Sequence, residues 1–245
     1  MRNRLLFLPL AIALAVNDSA AAMVVDPEQH SSTLFGQVHD LTSLFPTALE
    51  ISDGSPAQGV WYHFEVIEEG TQSANDVAAW LGSADAAEQL ALWGWERNAY
   101  QVYRMEAQGG PTDVTISIHQ FAGDGPLIVF PNGSRLSGEL VALDAFTERW
   151  TALHGGEAKR AGIMGPGVSL RAGSWRITGE HEVTLFVTSF NMVIRVSAIS
   201  PVGPQPAGVD RVMDEVLERI ESHRAASYRT GDVLGLASKS GCNLP

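Results

Sequence analysis

One cysteine stands in the whole chain, Cys242, close to the C-terminal end of a 245-residue sequence. A lone cysteine cannot form a disulfide within its own chain, so packing alone must hold the fold. Cys242 either pairs with another chain or sits on a frayed terminus. Basic residues are scarce as well: 16 Lys and Arg stand against 28 Asp and Glu, for a formal net charge of -12. Nucleic-acid binding needs clustered cations against phosphate, so no nucleic-acid partner is expected, and anionic membrane surfaces are disfavoured for the same reason. The apolar run at Leu5 to Val16 is shorter than the roughly 20 residues a membrane-spanning helix needs. Three motifs are missing: Gly-x4-Gly-Lys-Ser/Thr, Gly-x-Gly-x-x-Gly between strand and helix, and Gly-x-Ser-x-Gly. Their absence argues against phosphate-loop, dinucleotide and elbow-type hydrolase chemistry. The seven histidines are scattered singly. His181-Glu182 and His154-Gly155-Gly156-Glu157 each lack the further ligands a metal centre requires, so neither metal nor cofactor is expected.

Hydrophobic residues make up 45% of the chain, enough at this length to bury a sizeable core. Residues 1–22 read as an export signal. Arg2 and Arg4 form a positive start, the apolar run follows, and Ala20-Ala21-Ala22 offers small residues at a cleavage point. Residues 23–40 read as a flexible lead-in, 41–224 as a single α+β domain, and the small, polar, glycine-rich 225–245 as a disordered tail. The expected location is secreted or periplasmic, with no membrane span once the signal is removed.

The domain is organised around Trp93 to Phe121. Val114, Ile116 and Ile118 alternate with Thr115, Ser117 and His119, the period-2 pattern of a strand with one buried and one wet face. Tyr100 to Met105 is its hairpin partner, with Gly109-Gly110-Pro111 as turn material. Ahead of it, Leu41 to Leu49 reads as a helical turn that Pro46 ends, followed by extended chain. Val60 to Ile67 alternates with neither side wholly polar, which suggests a strand covered on both faces. Ser73 to Asp76 caps a helix through Leu81, and a second helix through Ala86, Leu90 and Leu92 ends at Gly94. Leu127 to Phe130 is a short strand. Leu143, Phe146, Trp150 and Leu153 place an apolar stripe on a helix over Leu140 to Leu153. Another short strand falls around Val168 to Leu170. Ser174 to Ile177, Glu182 to Thr188 and Met192 to Ile199 form a meander. After the stiff connector Pro201 to Gly208, the residues Val209, Val212, Met213, Val216, Leu217 and Ile220 line one face of a strongly amphipathic helix. A hairpin followed by such a helix thus occurs twice, and the fold class is an antiparallel β-sheet packed with amphipathic helices.

This order of elements resembles the Mog1/PsbP-like α/β/α class. The likeness is carried by Trp93-Gly94-Trp95 with Asn98 and Tyr100, by Ser117-Ile118-His119-Gln120-Phe121, and by Glu182 to Val187 before Asn191. It resembles exported bacterial domains over about residues 40 to 222. The resemblance implies a fold and a location outside the cytoplasm, with an accessory or binding role and no reaction.

Trp93, Trp95, Tyr100 and Tyr103, with His119, are the candidate ligand-binding residues. Aromatic faces can stack on sugars or other flat ligands, and equally can fill the gap between helix and sheet. No catalytic residue is assigned. The first function expected is an exported, non-catalytic domain that binds a partner protein or a small ligand. A hydrolase using the His119 neighbourhood is the alternative, since Ser117 and His119 share a strand face with Asp113 further along. A structural component of the cell surface is the third.

Overall fold

The computed structural model describes residues 38, 40–52, 54–55, 60–61, 63–106, 110–123, 127–163, 174–201 and 209–223. The export signal, most of the lead-in, the strand at Val168 to Leu170, the connector after Pro201, the tail and Cys242 lie outside the described residues.

Seven strands form one antiparallel sheet. In chain order they are β3 (Phe64–Gly70), β4 (Trp95–Met105), β5 (Thr112–Phe121), β8 (Glu157–Ala161), β9 (Ser174–Thr178), β10 (Glu182–Ser189) and β11 (Met192–Ile199). Two small hairpins lie outside this sheet, β1 (Gly54–Ser55) with β2 (Val60–Trp61) and β6 (Ile128–Val129) with β7 (Arg135–Leu136). The spatial order is β3-β4-β5-β11-β10-β9-β8. The expected hairpin and meander are therefore both present, and they join through the central β5 and β11 pair.

Helices cover both faces. On one lies α5 (209–223), whose Val209, Val212, Met213, Val216, Leu217 and Ile220 pack into the same apolar cluster as Ile116, Ile118, Leu185, Ile194 and Val196. On the other lie α2 (Ala74–Leu81), α3 (Ala86–Leu92) and α4 (Gly138–His154), clustered with Phe121, Phe186 and Val193. The hairpin-plus-helix units both exist, with their helices on opposite faces. α2 begins at a capping box in which Ser73 and Asp76 satisfy each other's backbone amides. Trp80 meets Phe146 edge-on with centroids 5.6 Å apart, and the Arg149 Nε donates to the Trp80 carbonyl at 2.6 Å, which ties α2 to α4. α4 starts very close to the end of α3. A Cβ at Gly138 would stand 1.7 Å from the Trp93 carbonyl oxygen, so only glycine permits the approach.

Five expectations are corrected. The polar face of β5 is not wet, because α4 lies over part of it: Ser117 and His119 are buried. Alternation reports polarity, and coverage comes from a helix that follows later in the chain. The strand at Val60 to Ile67 is interrupted and resumes as β3, an edge strand on which Val66 and Ile67 are 42% and 44% exposed. Its acidic residues and a register shift between Val66 and Glu68 suit an edge that must not pair further. Extended chain was expected after Pro46, but Thr47 caps a further short helix, α1 (Ala48–Ile51), through a capping box with Glu50. On α4, Leu153 is 49% exposed and Thr147 is buried in the helix's apolar face, its hydroxyl bonded back to the Leu143 carbonyl. β8 forms at the sheet edge where no strand is legible, its sequence Glu-Ala-Lys-Arg-Ala having no strand preference.

Candidate functional site

On the α4 side the strands β4, β5, β11 and β10 present their side chains in aligned rows. Pairing across the strands sets the first row as Asn98, His119, Val193 and Thr188. The second is Tyr100, Ser117, Arg195 and Phe186. The third is Val102, Thr115, Ser197 and Thr184, and the fourth Arg104, Asp113, Ile199 and Glu182. Neighbours within a row are about 4.8 Å apart and rows about 7 Å apart. All four members of the first row are buried, whereas in the fourth Ile199 is 42% exposed and none is buried. α4 closes the first row and the β10 column, leaving open the quadrant around Tyr100, Val102, Thr115 and Ile199.

At the closed end Trp95, His119, Ser117 and Asn98 form a hydrogen-bond network, while the Thr188 hydroxyl in the same row is buried without a partner. The Trp95 indole N–H donates to His119 Nδ1 at 3.3 Å. An indole nitrogen can only donate, so Nδ1 accepts, and the ring proton of the neutral imidazole lies on Nε2. Nε2 then donates to Ser117 Oγ at 3.2 Å. The Gln72 backbone N–H donates to Asn98 Oδ1 at 3.1 Å, which orients the amide so that Nδ2 also donates to Ser117 Oγ, at 2.8 Å. Burial holds the His119 pKa down to about 3, helped by the positive charge of Arg195. The ring of His119 lies 4.7 Å from that of Phe146 on α4.

This arrangement opposes the hydrolase reading. A general base for Ser117 would need a free lone pair on Nε2, and that nitrogen already carries the proton. Asp113 stands three rows from His119, about 20 Å along the strand, and its carboxylate forms a bidentate pair with Arg104 at 2.7 and 2.8 Å.

A second network lies where α4 ends. Glu182 accepts from the Trp150 indole N–H at 2.5 Å and the Thr184 hydroxyl at 2.6 Å, and its other oxygen meets His154 Nδ1 at 2.9 Å. His154 stacks on Trp150 at 4.0 Å, and the guanidinium of Arg195 lies 4.2 Å from the Trp150 ring. Arg195 itself makes no hydrogen bond or ion pair with any described residue. Its Nε is buried without a partner, and the residue as a whole is only partly buried. Burial lowers its pKa to about 10, against the attraction of Glu182. Ser197 Oγ, two residues along the same strand face, is also buried without a partner.

The structure separates the five sequence candidates. Trp95, Tyr100 and His119 share the α4 side of the sheet. Tyr100 is half-buried, and its hydroxyl donates to Glu68 at 2.8 Å. Trp93 is buried in the cluster beneath α4. Tyr103 points to the α5 side, fully buried, with its hydroxyl donating to the Pro46 carbonyl at 2.5 Å. Arg195, Ser197 and Trp150 escaped the sequence reading as site residues. The available signal was a lone arginine within Met192-Val-Ile-Arg-Val-Ser-Ala-Ile, a strand otherwise nearly free of charge.

Two concavities adjoin this face. One of about 460 Å³ is lined by Gln72, Ser73, Trp95 and Asn98. The other, about 520 Å³, lies between α4 and the β8–β9 edge, with Asp144, Thr151 and Trp175 on its walls. Among the described residues no group of three or more His, Cys, Asp or Glu is placed to hold a metal ion, and no helix is long and apolar enough to cross a membrane. The sequence matches no family model and no curated protein. The fold is similar to the crystal structure of the extracellular domain of PknH from Mycobacterium tuberculosis, with a TM-score of 0.42 and 9% identity over 74% of this chain and 94% of that one.

Proposed function

We propose that this chain is an exported, non-catalytic α+β domain that binds a small ligand at the open quadrant of its polar sheet face. One observation carries the reading. At the inner corner of that quadrant Arg195 and Ser197 keep polar atoms without partners, while Asn98, Ser117, His119 and Trp95 beside them are bonded to one another and, in the closed row, the Thr188 hydroxyl is unpaired as well. Unpaired buried polar groups cost free energy, and two of them beside the part of the face left open support a ligand that adds acceptors at that corner. Tyr100 is the sequence candidate that borders this opening. Trp95 and His119 support its floor, and Trp93 and Tyr103 hold the layers on either side. Residues 1–22 act as the export signal, 41–224 as one domain of the Mog1/PsbP-like class, and the protein works in the periplasm or outside the cell.

Thermal unfolding of the exported protein against a panel of envelope-derived small molecules tests the binding, because a ligand specific to the folded form raises Tm with concentration. At least one member of the panel raises it; a flat response across the panel rejects the proposal. N-terminal sequencing of the exported chain tests the signal, and an intact Met1 would reject that part.

A further inference from the structure

The geometry points to a monocarboxylate with an apolar body as the ligand class of this site, an inference that rests on the binding reading above. The charge comes first. Arg195 is a guanidinium with no counter-ion in contact, and the nearby acid, Glu182, is already committed to Trp150, Thr184 and His154. A buried cation without a partner is costly, and the Trp150 ring offsets only part of that cost. One added negative charge would balance it.

A planar carboxylate fits the partly buried Arg195 side chain, since guanidinium presents parallel N–H groups at the spacing of carboxylate oxygens. The hydroxyls nearby can add to it. Ser197 has no partner, and Ser117 accepts two hydrogen bonds, leaving its own proton to donate. Thr115 stands directly across from Ser197.

A dianion such as phosphate suits the place less well. Glu182, Asp113 and Glu68 all border this region, and the chain carries a net charge of -12. Beyond the polar corner the quadrant turns apolar. Val102 and the exposed Ile199 flank Thr115 and Ser197 on the same face, with the Tyr100 ring alongside. A ligand whose carboxylate meets Arg195 therefore lays its hydrocarbon part over Val102 and Ile199.

Hexanoate, benzoate, hexanamide and inorganic phosphate are the probes. The readouts are the arginine Nε–H resonances by NMR and calorimetric affinity on the exported protein. Hexanoate or benzoate should move the Arg195 resonance, while hexanamide, equal in length but uncharged, should leave it in place. Arg195→Met should weaken carboxylate affinity roughly a hundredfold, and Arg195→Lys about tenfold, because lysine keeps the charge but loses the bidentate fork. Near-UV circular dichroism verifies that each variant keeps its packing, and Ser197→Ala provides a milder second lesion. Carboxylate affinity that survives Arg195→Met overturns the inference, as does equal binding of hexanamide or stronger binding of phosphate. Carboxylates that fail while another member of the thermal-shift panel binds remove the ligand class and leave the binding proposal standing. Failure of every probe and panel member removes both.

Discussion

The two faces of one sheet are built from alternate residues of the same strands, yet they are held by different physics. On the α5 side Val114, Ile116 and Ile118 of β5 meet Ile194 and Val196 of β11 and Val183, Leu185 and Val187 of β10, all buried and all apolar. On the α4 side the alternate residues include Ser117, His119, Arg195, Ser197 and Thr184, polar and enclosed, beside the apolar Phe186 and Val193 that pack against α4. The apolar face stabilises through area removed from water and asks only for shape. The polar face gains little from burial and must satisfy each donor and acceptor individually. It fails to do so at Thr188, Arg195 and Ser197, and the last two border the part of the face that α4 leaves open. The larger share of apolar burial therefore lies on the α5 side, and the proposed ligand corner lies on the α4 side.

Substitutions on single strands can break that division. Ile194→Ala, beside Arg195 on β11 but facing α5, deletes a fully buried side chain and should cost about 2–5 kcal/mol in chemical denaturation. A cost below about 1 kcal/mol would deny that the apolar face carries the stability.

Acid tests the other face. The pKa of His119 is about 3 in the folded protein against about 6.5 in an unfolded chain. Below the unfolded value the unfolded state binds the proton and the native state does not, so stability is fully present above pH 6.5 and falls as pH drops toward 3. The slope attributable to this group approaches 1.4 kcal/mol per pH unit. Denaturation midpoints compared between wild type and His119→Gln at pH 6.5 and pH 5, where most carboxylates have yet to titrate, should show the steeper loss in wild type. Parallel profiles would mean that His119 can take a proton where it stands.

Gly138→Ala sharpens the comparison by disturbing the helix that closes the polar face. Its Cβ would collide with the Trp93 carbonyl, and a destabilisation of about 1–3 kcal/mol is expected as α4 shifts. That shift should also raise exchange of the Trp95 indole proton with solvent, while amides of α5 keep their protection. The smallest effect belongs to Ser197→Ala. Removing a hydroxyl that has no partner should change stability by less than about 0.5 kcal/mol in either direction. A loss near that of Ile194→Ala would reveal a bond that Ser197 makes in solution.

Much of this architecture was legible in the residues. The spacing of Val209, Val212, Met213, Val216, Leu217 and Ile220 predicted α5, and Ser73 with Asp76 marked the start of α2. The meander of β9, β10 and β11 followed from its apolar runs and the tight turn at Phe190-Asn191. Legibility stopped where the signal was not local. β8 has no strand-forming composition and exists because β9 offers it an edge. Trp93 and Trp95 are two residues apart and look alike in sequence, yet one fills the core and the other donates to His119. Arg195 resembled an ordinary strand charge until Phe186 and Ser117 were found on either side of it.

Periodicity and capping chemistry act between residues a few positions apart, so the chain alone determined which segments are strands and helices, which side of each is apolar, and which motifs are missing. Which polar residues meet was decided only when β5 paired with β11 and α4 came down across them, because those partners lie some 75 positions apart in places. Contact, coverage and an unanswered charge are properties of that assembly. The alternation of Thr115, Ser117 and His119 required a second face, and tertiary packing made part of it a sealed network and part an opening.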